Sequence, residues 1–156
     1  MRRCCRMGYY TRFHFNSRLS RDMPKYVRKL LEQMVYRHHP EPEPDPLPDH
    51  PLFKTRYWRH MFRMSSSSFH LAKAHRNLEH SVGQWHLHVD CDLKNVDEIQ
   101  HFLDWIEPHV DAFHGDLLGY YRGEDDPLVL VYWFDDDGNG DPIGHPHLAY
   151  KHVELD

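Results

Sequence analysis

The segment WHLHVDCDL, from Trp85 to Leu93, alternates strictly between two kinds of side chain. Its odd positions are apolar or carry a thiol, and its even positions carry histidine or aspartate. Because successive side chains of a β-strand point to opposite faces, this alternation predicts a strand with one buried face and one polar face. Such one-sided strands are typical of antiparallel sheets with a single covered face.

Two segments with helical spacing lie on either side of this strand. After Pro24, apolar residues recur every three or four positions as far as Val35, which predicts a helix ending near residues 37–38. A second apolar stripe with helical spacing follows Asn95. Asn95 and Glu98 resemble a capping box at the start of this predicted helix, and Pro108 marks the end of the helix. The segment 52–64 fits a short helix, with a strand as the alternative.

Further strands are predicted at 9–15, 117–121 and 148–155, and the apolar run 128–134 predicts a central strand covered on both faces. This order of elements predicts an α+β fold with a single, mainly antiparallel sheet and two helices packed on one face.

The length of 156 residues suits one domain. We expect residues 1–6 to be an N-terminal extension and residues 7–156 to form the domain. The segment 39–51, HPEPEPDPLPDHP, contains six prolines and predicts a stiff, extended connector.

Neither a secretory signal nor a membrane-spanning run of about 20 apolar residues is apparent. The three cysteines favour a reducing compartment. We therefore expect a cytoplasmic protein without a membrane partner.

Charge is distributed unevenly along the chain. Residues 1–36 carry a formal charge of +7 and residues 81–156 carry −14. A strongly acidic segment attracts basic partners, although the two halves would neutralise each other if they pack together. The candidate partner-binding residues are Asp90, Asp92, Asp97, Asp104, Glu107 and Asp111.

The basic N-terminal third indicates an alternative, weak binding of nucleic acid through phosphate contacts. The candidate residues are Arg12, Arg18, Arg21, Lys25 and Lys29. Tyr9, Tyr10 and Phe13 are placed to stack on bases. A solvated helix face explains the same charges.

Sixteen histidines suggest a third function, a metal-dependent hydrolase. His86 and His88 share one face of the predicted strand, and His145 and His147 form a second His-x-His pair. Imidazoles together with a carboxylate such as Asp90 suit a divalent transition metal. The alternative is a solvated strand face, which requires no cofactor.

The loop DDDGNGD, residues 135–141, matches the first half of a calcium-binding loop, but the position for a bidentate glutamate holds Pro146. A hairpin turn explains the same residues. No serine or cysteine lies in a nucleophile motif.

Four segments together resemble small, uncharacterised proteins of bacteriophages and prophages. They are MGYYTRF at 7–13, LPDHPLFKT at 47–55, LKNVDEIQHFLDWIEPHVD at 93–111 and LLGYYRGED at 117–125. The resemblance implies a phage accessory protein in the host cytoplasm. It assigns no active-site residues to this chain. The leading hypothesis is therefore a non-enzymatic protein that binds a host or defence protein through its acidic C-terminal half.

Overall fold

The computed structural model describes residues 10–36, 46–65, 74–94 and 97–154. Within them, seven strands and two α-helices account for the regular structure apart from short 3₁₀ turns. The strands are β1 (Thr11–Leu19), β2 (His75–Ser81), β3 (Gln84–Leu93), β4 (Val110–Asp111), β5 (Leu117–Gly123), β6 (Leu128–Asp136) and β7 (Pro142–Val153). The helices are α1 (Lys25–Val35) and α2 (Asp97–Ile106).

The strands form one sheet in the order β2-β3-β1-β5-β6-β7, and the short β4 pairs with the end of β1. Every pairing is antiparallel. The predicted α+β class with a mainly antiparallel sheet is confirmed.

The core lies on one side of this sheet, where both helices pack. Phe13 and Phe15 of β1 are fully buried, and each meets the ring of Phe102 from α2 edge to face. Phe62 meets the same ring with 4.9 Å between centroids. Phe102 therefore joins the sheet, α2 and the segment between α1 and β2.

Helix α1 buries the predicted stripe, from Val27 to Val35, but ends two to three residues earlier than expected. The guanidinium of Arg63 donates to the carbonyl oxygens of Gln33 and Tyr36, at 2.6 and 3.1 Å. These are carbonyls at a helix end, where no intrahelical donor is available. The ambiguous segment 52–64 thus holds 3₁₀ turns, Pro51–Lys54 and Met61–Arg63, rather than a strand.

The strand predicted at 85–93 is confirmed, with buried Leu87, Val89 and Cys91 on its apolar face. The prediction that the 128–134 strand is covered on both faces is wrong. Val131 and Trp133 of β6 are buried, whereas Tyr132 between them is partly exposed. One face of β6 is therefore buried and the other is only partly covered.

Some predicted features lie outside the described residues, namely the extension 1–6, Tyr9, the capping residue Asn95 and the greater part of the connector 39–51. At the end of that connector, Nδ1 of His50 accepts the backbone N–H of Leu52 at 3.1 Å and caps the first 3₁₀ turn. None of the helices in the described ranges is long and apolar enough to cross a membrane.

Replacement of Phe102 by alanine should destabilise the fold strongly, because it empties a site enclosed by aromatic rings. We expect a loss of about 3–5 kcal/mol in the free energy of unfolding, measured by denaturant titration. Phe113→Ala is the matched control, because that ring is 69% exposed, and it should cost less than about 0.5 kcal/mol. Equal losses for the two variants would contradict this description of the core.

Candidate functional site: the open face of the sheet

The even-numbered residues of β1 from Arg12 to Arg18, and those of β3 from His86 to Asp90, point away from both helices, to a side that we term the open face. In the described part of the chain no helix covers this side. Its residues on four neighbouring strands are Arg12, His14, Asn16, Arg18, His75, Asn77, Glu79, His86, His88, Asp90, Tyr120 and Arg122.

Strand register brings these side chains into rows that run across the sheet. One row places Asp90 of β3 beside His14 of β1, and His14 beside Tyr120 of β5. The rings of His14 and Tyr120 stack with 5.2 Å between centroids, and His88 meets His14 edge to face at 5.3 Å. Three aromatic or imidazole rings are therefore in contact on adjacent strands.

Burial lowers the pKa of His14, and the nearby His88 and Arg12 lower it further, while Asp90 acts in the opposite direction. A histidine whose pKa is lowered from 6.5 is mostly neutral at pH 7. His14 therefore contributes a neutral ring, with one donor and one acceptor nitrogen, to this surface.

A polar groove of about 670 Å³ crosses the open face. Its lining consists of Asn16, His75, Arg76, Asn77, Glu79, His86 and His88. A second depression shares Asn16 and His86 with it and continues past Arg18 to Leu117. The two depressions adjoin at these shared residues, and we term them together the channel, which extends from the edge strand β2 to the start of β5.

Phe113 stands beside the end of this channel and is 69% exposed. The guanidinium carbon of Arg18 lies 5.2 Å from the centre of its ring. An arginine placed over an aromatic face is held by a cation–π contact. The opposite face of the ring is a stacking surface for a planar ligand.

Arg12 of β1 and Arg122 of β5 are directly opposite each other in the strand register. Arg12 contacts Asp90 at 3.4 Å, and Arg122 donates from Nε to the carbonyl oxygen of Asp126 at 3.3 Å. Like charges directly opposite on neighbouring strands are destabilising. Asp90 contacts Arg12, and Asp92 of β3 is paired with Arg12 in the register, so these carboxylates already offset part of the repulsion within the pair.

The acidic residues predicted to bind a partner do not share one surface. Asp92 is fully buried, and Glu107 accepts the backbone N–H of Leu148 at 2.9 Å. Asp90 lies on the open face beside Arg12, whereas Asp97 and Asp104 are exposed on α2, on the other side of the sheet. Asp111 contacts the side-chain amide of Gln84.

The predicted basic residues are also divided. Arg12 and Arg18 are on the open face, Lys25 and Lys29 are on α1, and Arg21 is in the turn that follows β1. The expectation that Phe13 stacks on bases is wrong, because its ring is fully buried in the core. Tyr10 is half-buried, and the ammonium of Lys94 lies 5.6 Å from its ring centre.

The two His-x-His pairs do not meet. His86 and His88 are on β3 and His145 and His147 are on β7, with β1, β5 and β6 between them. Neighbouring strands lie about 4.8 Å apart, so the pairs are separated by roughly 19 Å. One metal ion cannot bind to all four.

Among the described residues, one group brings three metal-type ligand atoms within 4.8 Å of one another, namely His114, Asp135 and Asp136. Nδ1 of His114, however, accepts the backbone N–H groups of Asp135 and Asp136 at 3.1 and 3.2 Å. Oδ1 of Asp136 accepts the N–H of Gly138 at 2.7 Å. These bonds give His114 a structural role, as a cap on the end of β6.

The acidic loop that resembled a calcium site is a hairpin turn between β6 and β7. Oδ1 of Asp137 accepts the backbone N–H of Asn139 at 2.8 Å, and Gly138 and Gly140 have φ values of 87° and 90°. Carboxylates that bond to N–H groups two residues ahead are characteristic of Asx turns. The hairpin explanation accounts for these residues.

The sequence-based search missed His14, His75, Tyr120 and Arg122. Each is an ordinary residue in its own strand, and only the order β2-β3-β1-β5 brings the four together.

No protein-family model matches the chain, and no curated protein or solved structure matches it significantly.

Replacement of His114 by alanine should destabilise the fold, because two backbone N–H groups lose their shared acceptor. Both N–H groups are only partly buried, and loss of such a hydrogen bond costs about 0.5–1.5 kcal/mol. We expect a loss in that range by denaturant titration, and His145→Ala, at an exposed position of β7, should change stability by less than about 0.5 kcal/mol. An H114A protein as stable as the parent would rule out the capping role.

Proposed function

We propose that this protein is a non-enzymatic binding protein that holds single-stranded nucleic acid on the open face of its sheet, with weak to moderate affinity. The observation that carries the proposal is the pairing of Arg12 with Arg122 on neighbouring strands. Arginine suits phosphate because its planar fork donates two parallel hydrogen bonds. A phosphate over the pair would supply a further counter-charge to the two guanidinium groups, in addition to that of Asp90.

The channel beside this pair supplies groups for the bases. Asn16 and Asn77 present amides, and His86 and His88 present imidazoles, all of which bond to base edges. The exposed ring of Phe113 supplies a stacking surface at the end of the channel. A polar channel of this kind suits an unpaired strand better than it suits the apolar anchors of a protein partner.

Carboxylates on the same face limit the affinity. Glu79 and Asp111 line the channel and Asp90 accompanies Arg12. With the chain at a net charge of −5, long-range attraction of nucleic acid is absent. Binding is therefore expected to rely on a few short-range phosphate contacts.

Arg12→Gln/Arg122→Gln should weaken binding of a fluorescent 12-nucleotide DNA single strand by roughly tenfold or more at 50 mM salt, measured by anisotropy. Loss of two phosphate contacts should also reduce the slope of log affinity against log salt by about 1.4. The matched control is Lys25→Gln/Lys29→Gln, which removes the same charge from α1 on the other side of the sheet and should change affinity less than twofold.

Equal losses for the two double variants would show that net charge, rather than the open face, determines binding. Absence of binding by the parent protein at 20 mM salt would refute the proposal. Melting curves establish that both variants are folded, and Arg18→Gln provides a further open-face variant if the pair cannot be replaced together.

Docking of a host or defence protein is a second candidate function, and the phage origin that suggested it stays a prediction. Asp97 and Asp104 support this second function, because both are exposed on α2. They lie seven residues apart, which is about two helical turns, so the two carboxylates share one face of the helix. Their neutralisation as Asp97→Asn/Asp104→Asn should abolish binding of a lysine-rich peptide. If the parent binds that peptide and not DNA, this second function is favoured over the first.

A further inference from the structure

The hairpin formed by β2 and β3 brings a carboxylate beside the His-x-His pair of β3. Its turn consists of Val82 and Gly83, both with positive φ, 53° and 72°. Two-residue turns of this kind fix the register of the strands that they join. The register places Glu79 directly opposite His86, and His88 lies two residues further along the same strand. Three side chains of the metal-ligand type are therefore neighbours on one face of the hairpin.

All three side chains line the polar groove of the open face. Glu79 is exposed and the two histidines are partly exposed, so a dissolved ion reaches them from solvent. Residues directly opposite each other on neighbouring strands have Cβ atoms about 4.5–5.5 Å apart. Residues two apart on one strand are separated by about 6.6–6.8 Å. Both separations allow two side chains to reach one ion between them, because imidazole and carboxylate groups extend well beyond Cβ.

The ligand atoms of the three residues do not all lie within 4.8 Å of one another, so binding requires the side chains to turn. In the described part of the chain, no hydrogen bond or ion pair holds the side chain of Glu79 or that of His86. The ring of His88 is in edge contact with the ring of His14. The turn towards a shared ion therefore breaks one ring contact and no hydrogen bond.

Two arginines near this group are bound elsewhere. Arg76 also lines the groove, but its Nε donates to the carbonyl oxygen of Val35, at the end of α1, at 2.9 Å. Arg18 is opposite His86 on β1, and its guanidinium lies over the ring of Phe113. That ring follows β4, which pairs with β1 on the side away from β3. Neither arginine therefore directs its charge at the three ligands.

We propose that Glu79, His86 and His88 bind one divalent transition-metal ion such as Zn²⁺. Imidazole nitrogens and carboxylate oxygens are ligands that zinc takes in proteins, and three of them leave a fourth position for water or another ligand. Imidazoles favour zinc, nickel and copper, whereas magnesium and calcium prefer oxygen ligands. The site replaces the second His-x-His pair, His145 and His147, with a carboxylate from the neighbouring strand.

This inference extends beyond the proposed function, because metal binding needs β2 and β3 alone, whereas the arginine pair is on β1 and β5. Titration of the tag-free protein with Zn²⁺, after removal of metals with a chelator, tests it. Followed by NMR of the imidazoles, the first equivalent should shift the signals of His86 and His88. It should leave the signals of His145 and His147 unchanged, and magnesium should not compete.

Replacement of the histidines tests the assignment by affinity, measured by calorimetry. His86→Ala/His88→Ala should weaken zinc binding at least roughly tenfold, since loss even of a group that only orients a metal ligand commonly costs that much. The matched control is His145→Ala/His147→Ala, which removes an identical pair from β7, where Phe134 rather than a carboxylate is opposite His147. This control should leave the affinity of the tightest site unchanged.

Replacement of the carboxylate separates a three-ligand site from a simple histidine pair. Glu79→Gln should weaken zinc binding roughly tenfold. Glu154→Gln, at an exposed position past the end of β7, is its control and should have no effect.

Three outcomes would overturn the inference, namely zinc shifts spread equally over all imidazoles, equal losses of affinity in the two double-histidine variants, or unchanged affinity in E79Q. The NMR map of the parent protein requires no substitution, so the test stays valid if a variant fails to fold.

The two proposals fail separately. Arg12→Gln/Arg122→Gln should leave zinc affinity unchanged. Binding of zinc at the hairpin without binding of DNA would overturn the nucleic-acid proposal alone. Binding of DNA by a protein that has no zinc site would overturn the metal inference alone.

Discussion

The antiparallel pairing of β1 with both β3 and β5 is the constraint on which the rest of the structure depends. It places Phe13 and Phe15 on the helix side, against Phe102, and Arg12 and His14 on the open face. Because side chains alternate along a strand, a register shift of one residue would exchange the two sets. The burial of the two phenylalanines thus determines where the polar residues stand.

The same constraint explains why the candidate binding groups share one face. Residues of β1, β3 and β5 that point away from the core form a broad polar face, with its channel and its arginine pair. The β2–β3 hairpin extends this face at one edge of the sheet and adds Glu79 beside His86 and His88.

Much of the fold could be predicted from periodicity alone. The alternation from Trp85 to Leu93 identified β3 and the polar side to which His86 and His88 point. Periodicity within a segment, however, contains no information on which strands become neighbours. Periodicity therefore did not reveal that His14 and Tyr120 lie beside that polar side of β3, or that β1, β5 and β6 separate the two His-x-His pairs. Nor did it reveal that the imidazole of His114 accepts the backbone N–H of Asp135, 21 positions along the chain.

The most direct test of the open face as a binding surface is NMR of the histidine imidazoles during titration with a short DNA single strand. Binding on this face predicts shifts for His14, His86 and His88, which lie in or beside the channel, and little change for His145 and His147 on β7. Shifts confined to β7, or equal shifts of every imidazole, would contradict binding at the open face.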